Sequence, residues 1–138
     1  MKRITAIALV AMANFALAGT SFAQSNGVRA TVPFDFTVGD KVLPSGTYTL
    51  QQSSSHVIMI RSHDKPISAL SIVNQSDNRA ANGGKLVFHR YGDRYFLSEI
   101  LCDQANLDVR IPPSSAEKRT QLEQATLNSR SRVYVAAR

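Results

Sequence analysis

Apolar and polar residues alternate in short runs through most of the chain, the period-two signature of β-strands with one buried face. Val32, Phe34, Phe36 and Val38 share one face of the first run, with Thr31, Pro33, Asp35 and Thr37 on the other. Pro33 has no N–H to give to a ladder, so this strand is expected at a sheet edge or at its own beginning. Gly39-Asp40 reads as a turn, and Val42-Leu43 resumes the pattern. Leu43-Pro44-Ser45-Gly46 predicts a β-turn, because proline presets the second position and glycine suits the fourth. Thr47 to Leu50 then continues as a strand with Tyr48 and Leu50 inward. The stretch HVIMIR, His56 to Arg61, is apolar on both faces, as a central buried strand would be. SHDKP is a turn, and Ile67 to Val73 is a further strand with Leu70 and Ile72 on one face. Asn74 to Lys85 is polar and contains glycines, which predicts a loop. Leu86–Tyr91 and Tyr95–Leu101 flank Gly92-Asp93, a dipeptide suited to a tight hairpin. Both arms carry apolar residues on both faces, so the pattern leaves their register open. Leu107, Val109 and Ile111 alternate with Asp108 and Arg110.

After Pro113 the period changes. Ser114 followed by Glu117 is a capping-box signature for a helix start, and the helix is expected to run to about Asn128. Its apolar positions are only Ala116, Leu122, Ala125 and Leu127, which predicts loose docking. Val133-Tyr134-Val135 is either a last strand or a frayed tail. The whole reads as mainly β: a small antiparallel β-sandwich or partly open barrel of about seven or eight strands with one C-terminal helix.

The first residues change the picture of where this domain works. Lys2 and Arg3 precede an uncharged, mostly apolar run from Ile4 to Ala18, and Ser21-Phe22-Ala23 places small residues where a signal peptidase reads. The expectation is a signal peptide over 1–23 and one β-rich domain over 24–138, exported to the periplasm or the cell exterior. The run is short for a membrane span, so no stable transmembrane segment is expected after cleavage. Formal charge is +6 for the full sequence and +4 once Lys2 and Arg3 are removed, with a late basic cluster of Lys118, Arg119, Arg130, Arg132 and Arg138 against Glu123. That excess favours an anionic surface only weakly over ordinary solvated charge. Cys102 is the one cysteine; it ends the apolar stretch FLSEILC, is expected to be partly buried, and offers no disulfide framework.

Catalytic signatures are sparse. Ser62–Lys65 matches S-x-x-K and Ser76-Asp77-Asn78 matches S-D-N, but no K-T-G follows, and Asp64-Lys65-Pro66 is turn chemistry rather than a helix start. His56, His63 and His89 lack metal-ligand spacing, and no cofactor motif is present. A hydrolase or metal-dependent enzyme would have to draw on His89, Asp93 and Glu99. The hairpin FHRYGDRYFLSE gathers Arg90, Tyr91, Arg94 and Tyr95, a combination common on binding surfaces. The residues therefore favour a non-enzymatic binding domain, with an envelope protein or a cell-wall glycan as partner and those four residues as the contact surface. A purely structural envelope protein is the remaining alternative. Export argues against nucleic acid, and oligomeric state is not encoded in any pattern seen here.

VPFDFTVGDKVLPSGTYTL, KLVFHRYGDRYFLSEI and SSAEKR, in that order, resemble an uncharacterised family of small secreted β-domain proteins associated with acidobacteria and other soil bacteria. The resemblance covers most of the chain after residue 23. It implies a shared domain plan and brings no catalytic residues. Leu101-Cys102 departs from it, since a tryptophan would be expected at one of the two. LPSGTYTL also resembles, more distantly, the strand-entry turn of transthyretin-like and carboxypeptidase-regulatory β-sandwiches, where it is structural.

Overall fold

The computed structural model describes residues 27–80, 83–125 and 130–138; the expected leader lies outside the described residues, as does the end of the expected helix. The first alternating run is two strands, not one. β1 (Val28–Val32) stops at Pro33, and after a bend the chain resumes as β2 (Phe36–Val38). Proline ends the ladder as its missing N–H requires. The Gly39-Asp40 turn leads to β3 (Lys41–Leu43), and the Pro44–Gly46 turn leads to the long β4 (Gly46–Ser54). β5 (Val57–Ser62), β6 (Ser68–Ile72) and the two-residue β7 (Asn74–Gln75) follow. β8 (Gly84–Tyr91) and β9 (Arg94–Cys102) form the Gly92-Asp93 hairpin, and a single 3-10 turn leads to β10 (Leu107–Arg110). Helix α1 (Ser115–Gln124) precedes β11 (Arg130–Ala137).

All eleven strands belong to one sheet, ordered β3-β2-β9-β8-β11-β1-β4-β5-β6, with β10 on β9 and β7 on β10. Every pair is antiparallel except β2 with β9. The sheet curls until its two ends face each other, and Lys41 Nζ on β3 donates to the carbonyl of Ser68 on β6 at 2.6 Å. The architecture is thus a nearly closed barrel-like sheet with one helix. It has more strands than the alternation predicted, because the Pro33 bend divides one run and the polar stretch after Val73 contributes a short strand.

The barrel interior holds one apolar cluster. Tyr48, Phe88, Leu43, Leu50, Ile58, Ile60, Leu86, Leu97 and Ile100 are essentially fully buried. Phe36 packs edge-on against both Tyr48 and Phe88, at 5.2 and 5.5 Å between ring centroids. Such pairs add roughly 0.5–1.5 kcal/mol to the burial itself. Cys102 is buried and free, as its apolar setting suggested. Leu70 and Ile72 do share a face, and the structure shows which one. Ala69 and Ser71 point inward on β6, so Leu70 and Ile72 are turned to solvent, 66% and 67% exposed. The segment around Val133–Val135 is a strand, not a tail, and an interior one: β11 pairs with β8 over eight positions and reaches β1 through Ala137.

Candidate functional site

The hairpin β8–β9 carries nearly every residue with candidate chemistry, so its register decides what can meet. Phe88 pairs with Leu97 and Val87 with Glu99, leaving Ser98 as the extra residue of a β-bulge. Leu97 and Ile100 belong to the interior cluster, and between them Ser98 and Glu99 both turn away from it. His89, Tyr91 and Phe96 share that outer face, and α1 lies across it.

The helix begins as the sequence predicted. Ser114 Oγ accepts from the backbone N–H of Glu117 at 3.2 Å, and Asp40 at the β2–β3 tip accepts from Ala116 N. The Glu117 side chain does not close the box. It runs under the helix, where Oε1 accepts from His89 Nδ1 at 2.8 Å and from the Tyr91 hydroxyl at 3.2 Å. Since an ionised carboxylate only accepts, His89 donates through Nδ1 and its Nε2 is left to face Ser98 Oγ, 3.1 Å away. Arg94 Nη1 donates to Thr120 Oγ1 at 3.1 Å, and Thr120 in turn donates to the carbonyl of Ala116. The buried helical residues are Glu117 and Thr120, while Leu122 is 75% exposed. The helix therefore docks through hydrogen bonds, which is why its thin apolar face misjudges how it is held.

The four hairpin residues proposed as a contact surface divide between two faces. Tyr91 is buried and Arg94 is tied to α1, so both serve helix docking. Tyr95 lies on the other face, half-buried and stacked on Phe34 with 4.0 Å between ring centroids. Arg90 is exposed, its guanidinium 5.6 Å over the Tyr95 ring and its Nε donating to the carbonyl of Gly92 at 2.8 Å. One hydrogen bond and one ring contact hold the guanidinium of an exposed residue in place. A guanidinium held this way loses little freedom when it meets an anionic group.

His89, Asp93 and Glu99 engage different partners. Glu99 accepts from Arg110 Nε and from Asn78 Nδ2 on the β10 side. Asp93 sits at the hairpin tip and lines a hollow of about 370 Å³ with Asp35, Asp40, Arg94 and Tyr95. Among the described residues, no three His, Cys, Asp or Glu side chains come together as a metal ion would require. The S-x-x-K decoy is a turn: Ser62 Oγ accepts from the N–H of both Asp64 and Lys65. Ser98 and Glu117 are what residue-by-residue reading missed. Glu117 looked like a cap alone, and a bulge in a strand apolar on both faces leaves no signal in the pattern.

The Pro44–Gly46 turn is scaffold. Ser45 N donates to Asp35 Oδ1 and Thr47 N to Asp64 Oδ2, both at 2.8 Å, and the Tyr48 hydroxyl donates to the carbonyl of Pro44. Burial, with the Asp35 and Asp64 carboxylates adding to it, holds the Tyr48 phenol above its usual range. No helix among the described residues is long and apolar enough to cross a membrane. Compared with known protein families, with curated proteins and with solved structures, the chain matches none.

Proposed function

We propose that this is an exported, non-enzymatic β-domain that binds an anionic envelope partner, foremost a cell-wall glycan bearing carboxylate or phosphate groups, through Arg90. The observation that carries the reading is the exposed Arg90 guanidinium, seated on the Tyr95–Phe34 stack and latched to Gly92. The signal-like leader and the resemblance to small secreted β-domain proteins support the location; the basic balance of the chain supports the sign of the partner. The test compares retention of the exported protein on purified cell-wall sacculi. Arg90→Ala is expected to release it with an unchanged thermal melt, whereas Arg94→Ala is expected to loosen the helix and leave retention intact. Full retention of a stable Arg90→Ala protein refutes the assignment and moves attention to exposed Arg132.

A second reading rests on the series Ser98–His89–Glu117, a hydroxyl, an imidazole and a carboxylate in the order used for acyl transfer. Ser98 would attack, His89 would take its proton, and Glu117 would orient the ring. Burial of Ser98 under α1 weighs against it, since a carbonyl must reach Oγ. A fluorophosphonate probe settles the matter: labelling of Ser98 that disappears in His89→Ala supports a hydrolase, and an unlabelled protein retires the reading.

A further inference from the structure

Among the described strands, β3 and β6 end the continuous path of the sheet, and they face each other across a seam. β6 pairs with β5 on one side only. Ser62 N donates to the carbonyl of Ile67, and Val73 N to that of His56, at the two ends of this ladder. Bonded and non-bonded pairs alternate along an antiparallel ladder. Residues 67, 69, 71 and 73 therefore turn their amides to β5, and Ser68, Leu70 and Ile72 turn theirs into the seam. The Lys41 bond to the Ser68 carbonyl confirms that direction. The amides of Ser68, Leu70 and Ile72 and the carbonyl of Leu70 point where no described strand pairs them. By the same alternation across the two-residue turn of the β2–β3 hairpin, Val42 on β3 turns its backbone groups toward the seam from the far side.

Along this seam runs a cleft of about 710 Å³, lined by Lys41, Ser68, Leu70, Ile72, Pro112 and Pro113. A strand as long as β6, five residues at about 3.3 Å each, about 4.8 Å wide and about 10 Å deep, displaces roughly 790 Å³. The two prolines on the third wall bring no N–H to compete for the incoming backbone. Leu70 and Ile72 line the slot and are each about two-thirds exposed, where alternate side chains of a guest would lie.

We propose that the β3–β6 seam accepts an extended, uncharged peptide segment of another polypeptide, with apolar side chains at alternate positions, which pairs with β6 and completes the barrel. Two observations choose this occupant. A second copy meeting β6 edge to edge would bury only about 16 by 10 Å, on the order of 160 Å², against roughly 800 Å² per partner in a standard interface. The charged groups at the cleft, Asp40 and Lys41, offset each other and are engaged with Ala116 N and the Ser68 carbonyl, so no net charge calls for a charged guest. Lys41 then acts as the gatekeeper of an edge that is otherwise open. This surface is separate from Arg90, and neither assignment depends on the other.

The experiment titrates the exported protein with a short capped peptide of alternating threonine and valine, and with the same peptide N-methylated on alternate residues, following backbone amide resonances. Expected are shifts confined to 41–43 and 68–72, a loss of roughly tenfold in affinity on N-methylation from two missing ladder bonds, and tighter binding by Lys41→Ala. Equal binding of the N-methylated peptide, shifts centred elsewhere, or no shift with either protein overturns the proposal. So does dimerisation of Lys41→Ala without peptide, which would give the edge to a second copy. If Lys41→Ala fails to fold, the two peptides on the unaltered protein still decide.

Discussion

Gly46→Val tests the turn that opens β4. Gly46 has φ +157°, and a Cβ added there would stand 2.8 Å from Asp64 Oδ2. That oxygen accepts from Thr47 N, so Asp64 must swing aside and the bond is lost. A positive-φ conformation of this kind costs a branched residue about 1–3 kcal/mol. Loss of a hydrogen bond to a carboxylate adds about 1.5–3 kcal/mol, less here because the site is exposed. The sum is about 3 kcal/mol. With a urea slope of about 1.5 kcal/mol per molar for a domain of this size, the midpoint should fall by about 2 M. Ser45→Ala is the control, because Ser45 contributes its backbone N–H to Asp35, and it should move the midpoint little. A second control is Gly46→Val on an Asp64→Ala background, where only the backbone cost remains and the two changes add to less than their sum. Equal midpoints for Gly46→Val and Ser45→Ala would refute this account of the turn.

Glu117→Ala removes the acceptor shared by His89 and Tyr91 and should cost about 2–3 kcal/mol; hydrogen exchange should accelerate across Ser115–Gln124 while Val57–Ser62 stays protected, and unchanged helix protection would mean Glu117 is not the anchor. Because the Tyr48 phenol is held above 10.0 in the folded protein, its contribution is complete below the unfolded value and is lost as pH rises past it toward the folded value; the alkaline loss of stability should be shallower in Tyr48→Phe, and parallel curves would contradict this. Deleting 130–137 removes the strand between β8 and β1, so circular dichroism should show no cooperative melt. Mass spectrometry of exported protein should find an N-terminus at or near Gln24, and an intact Met1 in that fraction would overturn the leader assignment.

Where one face is apolar and the other polar, residue pattern and fold agree. Tyr48 and Leu50 point inward as alternation demands, and Gly92-Asp93 makes its hairpin because glycine takes the positive φ of +58°. Patterning was silent where both faces of a strand are apolar. β8 and β9 cover the interior on one side and a second cluster of Ala80, Val87 and Leu101 on the other, so nothing in residue type could place the Ser98 bulge. On β6 the pattern gave the shared face of Leu70 and Ile72 but not its direction: the interior is filled by Ala69 and Ser71, and Leu70 and Ile72 lie outside. The Arg90 seat depends on Phe34, far off in sequence, and only the curl of the sheet brings the two together.

β11 has a consequence for the order of events during synthesis. β1, β4, β5 and β6 are made early and are neighbours; β8, β9 and β10 are made later and are neighbours as well. The two groups are joined along the continuous path by β11, which is made after every other strand of the sheet. Until it arrives, β8 presents a long unpaired edge to whatever else is nearby, β1 lacks its link at Ala30, and the interior apolar cluster has no closed wall. Such a chain cannot finish folding from its N-terminus forward. It stays open until residue 137 has been made, which is the condition a polypeptide must satisfy to be threaded through a narrow channel before it acquires its shape.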